Sequence, residues 1–198
     1  MSAKSPNGDL AAPETPTEED FRRWWRMRWL SSIQAFADSG TQKARWLDPE
    51  ERNPHYSFVE CMCWYFDDAY LGEDDAYRKR KERGQISVAD IEAVADFHRL
   101  ASAYHPPKDD HYDVAAILSD PAWEVVVAAA QAAQQALLSL LSNEIEIDAL
   151  TRPLKWESQG GGSFSADLTG STIVCAAPAR QDRSILMKLQ RSLKRWLR

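Results

Sequence analysis

Acidic and histidine side chains occur on two predicted helices at spacings that suit a divalent metal ion. Glu60 and Asp67 are seven residues apart, so they share one helix face about 10 Å from each other, and Asp68 lies on the adjacent face. His98 and His105 are also seven residues apart on another predicted helix. Carboxylates and histidines that project inward from facing helices bind Mn, Fe or Zn and activate water. One hypothesis is therefore a metal-dependent hydrolase or lyase.

The sequence lacks the stronger catalytic signatures. It contains no Glu-x-x-His, His-Glu-x-x-His, Gly-x-Ser-x-Gly or P-loop pattern. Cys61 and Cys63 do not have zinc-knuckle spacing, and on a helix they point in nearly opposite directions. With Cys175 they are best interpreted as small buried hydrophobic residues. The sequence thus favours a protein that has no chemistry of its own and needs no cofactor.

An arginine- and tryptophan-rich segment, residues 21–29, interleaves four arginines with four aromatic residues. Arginine and tryptophan together grip membrane surfaces, stack on bases or form hot spots of protein interfaces. The helical period predicts one core-facing stripe that begins in this segment, formed by Phe21, Trp25, Trp29, Ile33 and Phe36. Trp24 falls off the stripe with Arg23, Met27 and Leu30, so these four are expected to face a partner.

A second basic segment is predicted as the last helix, Asp182 to Arg198, with apolar residues on one side only. We therefore predict that the protein binds another macromolecule, as an adaptor, regulator or inhibitor. The partner is expected to be another protein or a second copy, with a nucleic acid or an anionic membrane surface as the alternative. The candidate contact residues are Arg22, Arg23, Trp24, Arg26, Met27, Lys188, Arg191, Lys194 and Arg195.

The elements that position these residues are predicted to be helices. Caps, prolines and apolar periodicity predict helices over about 17–38, 56–71, 74–83, 88–104, 121–142 and 182–198, with one or two turns at 112–118. The helix over 121–142 has a second face of small residues, Ala128, Ala132 and Ala136, and is expected to be packed on both sides. Residues 151–179 are rich in Gly, Ser and Thr and are predicted to form a loop-rich or short β-hairpin insert. The predicted fold is a mainly α, single-domain bundle of about five to seven helices over 17–198.

Composition and charge limit the function classes. The chain has 198 residues, a formal net charge of −6 and a pI near 5.3, which argues against a dedicated nucleic-acid binder. Residues 1–16 are polar and acidic and are predicted to be a disordered tail without the apolar region of a signal peptide. The most apolar stretch, 121–141, contains one Glu and three Gln, which do not suit a lipid interior. Together with the three cysteines, these features predict a cytoplasmic protein.

Overall fold

The computed structural model describes residues 15–48 and 57–153 in full, and the backbone of residues 163–164 and 175–176. The chain divides into two compact units, Met1–Leu154 and Lys155–Arg198. The prediction of one domain over 17–198 and of a tail over 1–16 stays a prediction, because residues 1–14 and 177–198 lie outside the described residues.

The first unit is mainly helical, which confirms the predicted fold class. A π-helical segment, Trp64–Asp68, continues directly from α3, and a single 3-10 turn, Pro107–Asp109, precedes α6. The α-helices are α1 Glu18–Ala37, α2 Ser39–Trp46, α3 Phe58–Cys63, α4 Ala76–Glu82, α5 Val88–Ala103, α6 Val114–Leu118, α7 Pro121–Leu138 and α8 Glu144–Thr151.

Side-chain caps explain where the three longest α-helices begin. Thr17 Oγ1 accepts from the Asp20 N–H at 3.2 Å, and the Asp20 carboxylate accepts from the Thr17 N–H at 2.9 Å, which together form a capping box at α1. Ser87 and Asp90 form the same box at α5. Asp120 caps α7, with Pro121 at its first position, where a missing N–H costs no hydrogen bond.

The core is aromatic and is centred on α1, which packs against α7, α8 and the π-helical segment. Phe36 of α1 lies 5.8 Å from Tyr65, 5.1 Å from Phe97 and 5.6 Å from Trp123, measured between ring centroids. The Trp123 Nε1–H donates to Oε1 of buried Gln42, whose amide nitrogen in turn donates to carbonyl oxygens of α1. The indole N–H of Trp123 and the side-chain amide of Gln42 therefore have partners, as burial requires.

Two short helices were not predicted, and they account for most differences from the expected core. The helix predicted over 17–38 was expected to lead into a loop, but the Asp38 carboxylate accepts from the Thr41 N–H at 2.9 Å and begins α2 at once. The helix expected to run to Ser142 ends at Leu138, and α8 follows and packs against α1.

The predicted faces of α1 and α7 need correction. Met27 is only 3% exposed and Leu30 is fully buried, because α8 covers the side of α1 that was expected to face a partner. Phe21 is exposed, because it lies in the first turn of α1, beyond the end of the core. The small-residue face of α7 is also exposed, at Ala128, Ala132 and Ala136, so α7 is packed on one side only within the described residues.

In the second unit, the structure describes a short antiparallel pair of strands, β1 Ser163–Phe164 and β2 Cys175–Ala176. Ser163 pairs with Ala176 and Phe164 with Cys175, inside the predicted hairpin insert. The predicted helix over 182–198 lies outside the described residues. Among the described helices, none is long and apolar enough to cross a bilayer.

Candidate binding surface

Three large aromatic side chains are exposed around the N-terminal half of α1. Phe21 is 56% exposed, Trp24 is 41% exposed and Tyr70 is 68% exposed. Tyr112 is the fourth exposed large aromatic residue among the described residues, and it lies before α6. Exposed aromatic rings cost solvation free energy when no partner covers them, so a group of them indicates an interaction site.

Trp24 is held in place by a neighbouring arginine. The Arg28 guanidinium lies over the Trp24 ring, 5.4 Å from its centroid, and also forms an ion pair with the Asp68 carboxylate. Arg28 is one helical turn after Trp24, the spacing at which side chains of a helix meet. The indole is therefore presented on α1 by a side chain that is itself anchored to the π-helical segment.

Tyr70 reaches the surface through an unusual backbone conformation. Its φ is +54°, in the left-handed region that a bulky non-glycine residue rarely adopts. The turn is fixed on both sides, because the Phe66 carbonyl oxygen accepts from the Leu71 N–H at 2.9 Å and from the Gly72 N–H at 3.0 Å. The Trp25 Nε1–H also donates to the Ala69 carbonyl oxygen at 3.0 Å. Such strain persists only where the surrounding contacts enforce it, and it is concentrated at functional sites.

The Tyr70 ring stacks on the guanidinium group of a buried arginine, Arg80. The Arg80 guanidinium lies 4.9 Å from the Trp25 ring centroid and 5.4 Å from the Tyr70 ring centroid. Arg80 is 7% exposed, and its Nη1 donates to Gln85 Oε1 at 3.0 Å. The Trp25–Arg80–Tyr70 stack thus joins α1, the turn after the π-helical segment and α4.

Five residues around these contacts are grouped under one name, the aromatic–arginine surface: Phe21, Arg23, Trp24 and Arg28 of α1, and Tyr70, which the Arg80 stack places beside Trp25 of the same helix. Phe21 and Trp24 are three residues apart on α1, and Arg23 lies between them and is exposed. Arg22, beside this surface, is partly exposed and forms an ion pair with Glu19 at 2.8 Å. Sequence reasoning found Arg23 and Trp24, but it placed Phe21 on the core-facing stripe and did not single out Arg28. Tyr70 and Arg80 were missed, since no local pattern predicts a left-handed tyrosine or places α4 against Trp25.

Arg26, a predicted contact residue, is instead part of an internal network. Its guanidinium donates to the two carboxylate oxygens of Asp90 at 3.1 and 3.3 Å and to Glu146 Oε2 at 2.9 Å. The bonds from Arg26, with those from Ser87, lower the pKa of the Asp90 carboxyl against the opposing effect of its burial. Because α1, α5 and α8 all contribute to this network, Arg26 joins the helices and is not available to a partner. Met27 is excluded for the same reason, since it is buried.

The residues of the metal hypothesis are engaged in other contacts. Asp68 pairs with Arg28, as described above. His98 Nδ1 lies 3.3 Å from the Tyr65 hydroxyl, and its ring packs edge-on against Tyr77 at 4.9 Å. Burial lowers the pKa of His98. His98 therefore lies in an aromatic environment, where no carboxylate is among its recorded contacts.

The other metal candidates lie on other segments of the chain. Burial raises the pKa of Asp67, and Glu60 lies in the first turn of α3. His105 is exposed after the end of α5. Across residues 15–48 and 57–153, no group of three or more His, Cys, Asp or Glu side chains could hold a metal ion. Cys61 fits its structural interpretation, because it is buried and burial raises its pKa, whereas Cys63 is only half-buried.

The basic contact candidates of the last predicted helix, Lys188, Arg191, Lys194 and Arg195, lie outside the described residues. No protein-family model matches the chain, and no curated protein or solved structure matches it. The functional argument therefore depends on the chain's own residues.

Proposed function

We propose that this protein binds a partner protein through the aromatic–arginine surface. The observation that supports the proposal best is that Phe21, Trp24 and Tyr70 are all exposed, although Trp24 and Tyr70 are each stacked on an arginine side chain. Tryptophan, tyrosine and arginine are the residues that most often dominate the free energy of protein–protein binding. Rigid side chains also lose little conformational entropy on association.

The charge around the surface favours a protein over a nucleic acid or an anionic membrane. Glu18, Glu19 and Asp20 occupy the first turn of α1 and would repel phosphate groups. Two of the arginines already have carboxylate partners, Arg22 with Glu19 and Arg28 with Asp68. A protein interface with an aromatic centre and a polar rim tolerates such ion pairs at its edge.

Site-specific photo-crosslinking in the native host tests the proposal. A benzophenone amino acid is introduced in place of Trp24 or Tyr70, and matched controls carry it in place of exposed Tyr112 or Val125. The proposal expects one discrete protein adduct from positions 24 and 70 and none from positions 112 and 125. Adducts of equal yield from all four positions, or a nucleic-acid or lipid adduct at position 24, would contradict it.

A further inference from the structure

The Arg80 guanidinium is a buried cation with unused hydrogen-bond donors. An arginine side chain carries five N–H groups, and the described residues supply one acceptor to Arg80, Gln85 Oε1. Within those residues no carboxylate lies within ion-pair distance of Arg80; the neighbouring Glu73 carboxylate is bound to Lys79 Nζ at 2.6 Å. A buried charge normally has a counter-charge, because its desolvation is costly. Arg80 therefore differs from Arg26, which is satisfied by two carboxylates.

The unused donors of Arg80 are not fully enclosed. Three described side chains have a fully buried polar atom without a partner: Arg28, Gln34 and Trp46. The nitrogens of Arg80 are not among those atoms although most of its N–H groups have no acceptor in the described chain. These donors are neither bonded nor fully enclosed, and they lie beside the exposed Tyr70 ring, so they are available to an oxyanion of a ligand that docks there.

The charge around Arg80 would attract an anion. Lys81 and Arg83 of the same segment are exposed, and neither forms an ion pair with the described residues, whereas Arg78 and Lys79 are paired with acidic neighbours. Burial lowers the pKa of Arg80, and repulsion by the positive charge of Arg83 lowers it further. Arg22 also extends over Gly84, next to Arg83. The end of α4 therefore concentrates positive charge beside the aromatic–arginine surface.

We propose that Arg80, beside the exposed ring of Tyr70, and Arg83 form a subsite for a carboxylate side chain of an acidic segment in the partner protein. The inference rests on the proposed function and names the chemistry of the partner. Guanidinium groups bind carboxylates through paired N–H donors. The Tyr70 and Trp25 rings hold the Arg80 plane in one orientation, so little side-chain entropy is lost on binding.

Titration with a hexaglutamate peptide, monitored by NMR at the arginine Nε–Hε signals, tests the subsite on the full chain. The Arg80 signal should shift and saturate, and added salt should weaken binding. Arg83→Glu should weaken binding about fivefold, the effect of reversing one exposed charge. The matched control is Arg99→Glu, which changes an exposed arginine on α5 and should leave the affinity unchanged.

Each other outcome overturns the subsite. An Arg80 signal that does not move, or equal weakening by Arg83→Glu and Arg99→Glu, would mean that the peptide binds non-specifically. Saturable shifts with inorganic phosphate and none with hexaglutamate would overturn the carboxylate assignment. Arg80→Lys retains the charge but not the planar donors; affinity unchanged in this variant, with the fold intact by circular dichroism, would also contradict the proposal.

The titration separates this inference from the proposed function. If hexaglutamate fails while crosslinking at position 24 still yields a discrete protein adduct, the subsite alone is wrong. If hexaglutamate binds at Arg80 but position 24 gives no protein adduct, the proposed partner surface is wrong and the anion site stands.

Discussion

The Arg28 guanidinium covers the Trp24 ring at 5.4 Å and is itself paired with Asp68. Trp24 is thus oriented by a residue of its own helix that is anchored to the π-helical segment. The aromatic–arginine surface depends on this arrangement, because an indole free to rotate would lose more entropy on binding.

Asp68→Asn should weaken partner binding more than it weakens the fold. The substitution removes the charge that anchors Arg28, so Trp24 loses its fixed orientation. The pair is partly exposed, so its loss should cost about 1 kcal/mol of unfolding free energy or less. Urea unfolding measures that cost, and partner affinity is measured on the same sample. A loss of several kcal/mol would show that Asp68 is a core residue, and unchanged affinity would show that Arg28 does not position Trp24.

Arg26→Met should destabilise the fold strongly and leave the residues of the aromatic–arginine surface unchanged. The substitution leaves Asp90 and Glu146 without their common cation, and Asp90 is buried. Removing one partner of a buried pair typically costs about 3–5 kcal/mol. Chemical unfolding of Arg26→Met, with exposed Arg23→Met as the matched control, gives the comparison. A loss below about 0.5 kcal/mol in Arg26→Met would mean that the network contributes little.

His98 should make the stability of the fold depend on pH below neutrality. Its pKa in the folded protein is lowered by burial, so below pH about 6.5 the unfolded chain binds a proton that the folded protein does not. The stability linked to neutral His98 is therefore complete above that pH and is lost as the pH falls towards the folded pKa. The free energy of unfolding of the unchanged protein should therefore fall, relative to that of His98→Phe, as the pH is lowered from 7.5 to 5. A difference that is constant over this range would contradict the assignment.

Divalent metals should not stabilise the protein, because the candidate ligands in the described residues do not form a metal-binding group. A site with a Kd near 10 µM would add about 2.7 kcal/mol at 1 mM metal, or roughly 5–10 °C in Tm. Thermal unfolding after EDTA, and then with Mn, Zn, Mg or Ni, should give the same Tm within about 1 °C. An increase of the larger size that is abolished by Glu60→Ala or His98→Ala would restore the enzyme hypothesis.

The sequence was sufficient to predict the elements whose signals are local. Thr17 with Asp20 begins α1, Ser87 begins α5, and Pro121 begins α7, because each of these signals depends on residues within one turn. The side of α1 that contains Met27 and Leu30 was assigned wrongly, because it is covered by α8, a helix that the local pattern did not reveal.

The candidate surface was predictable only where it lies on α1. Trp24 and Arg23 followed from helical periodicity, and both are exposed. Tyr70 was expected to lie within a helix that continued to Leu71; instead a π-helical segment ends the helix, and a left-handed residue turns the ring outwards. The stacking of Arg80 between Trp25 and Tyr70 joins three separate elements, which no spacing in the sequence can indicate.

The most direct test of the central claim uses the partner that crosslinking isolates. Calorimetry measures the affinity of this partner for the Trp24→Ala variant and for the Tyr112→Ala variant. Both substitutions remove an exposed aromatic ring, so both should leave Tm within a few degrees of the unchanged protein. The account predicts that Trp24→Ala weakens binding about thirtyfold or more, which corresponds to the loss of about 2 kcal/mol expected of a hot spot, and that Tyr112→Ala does not weaken it. Equal affinity of the two variants, with both folded, would contradict the assignment of the aromatic–arginine surface.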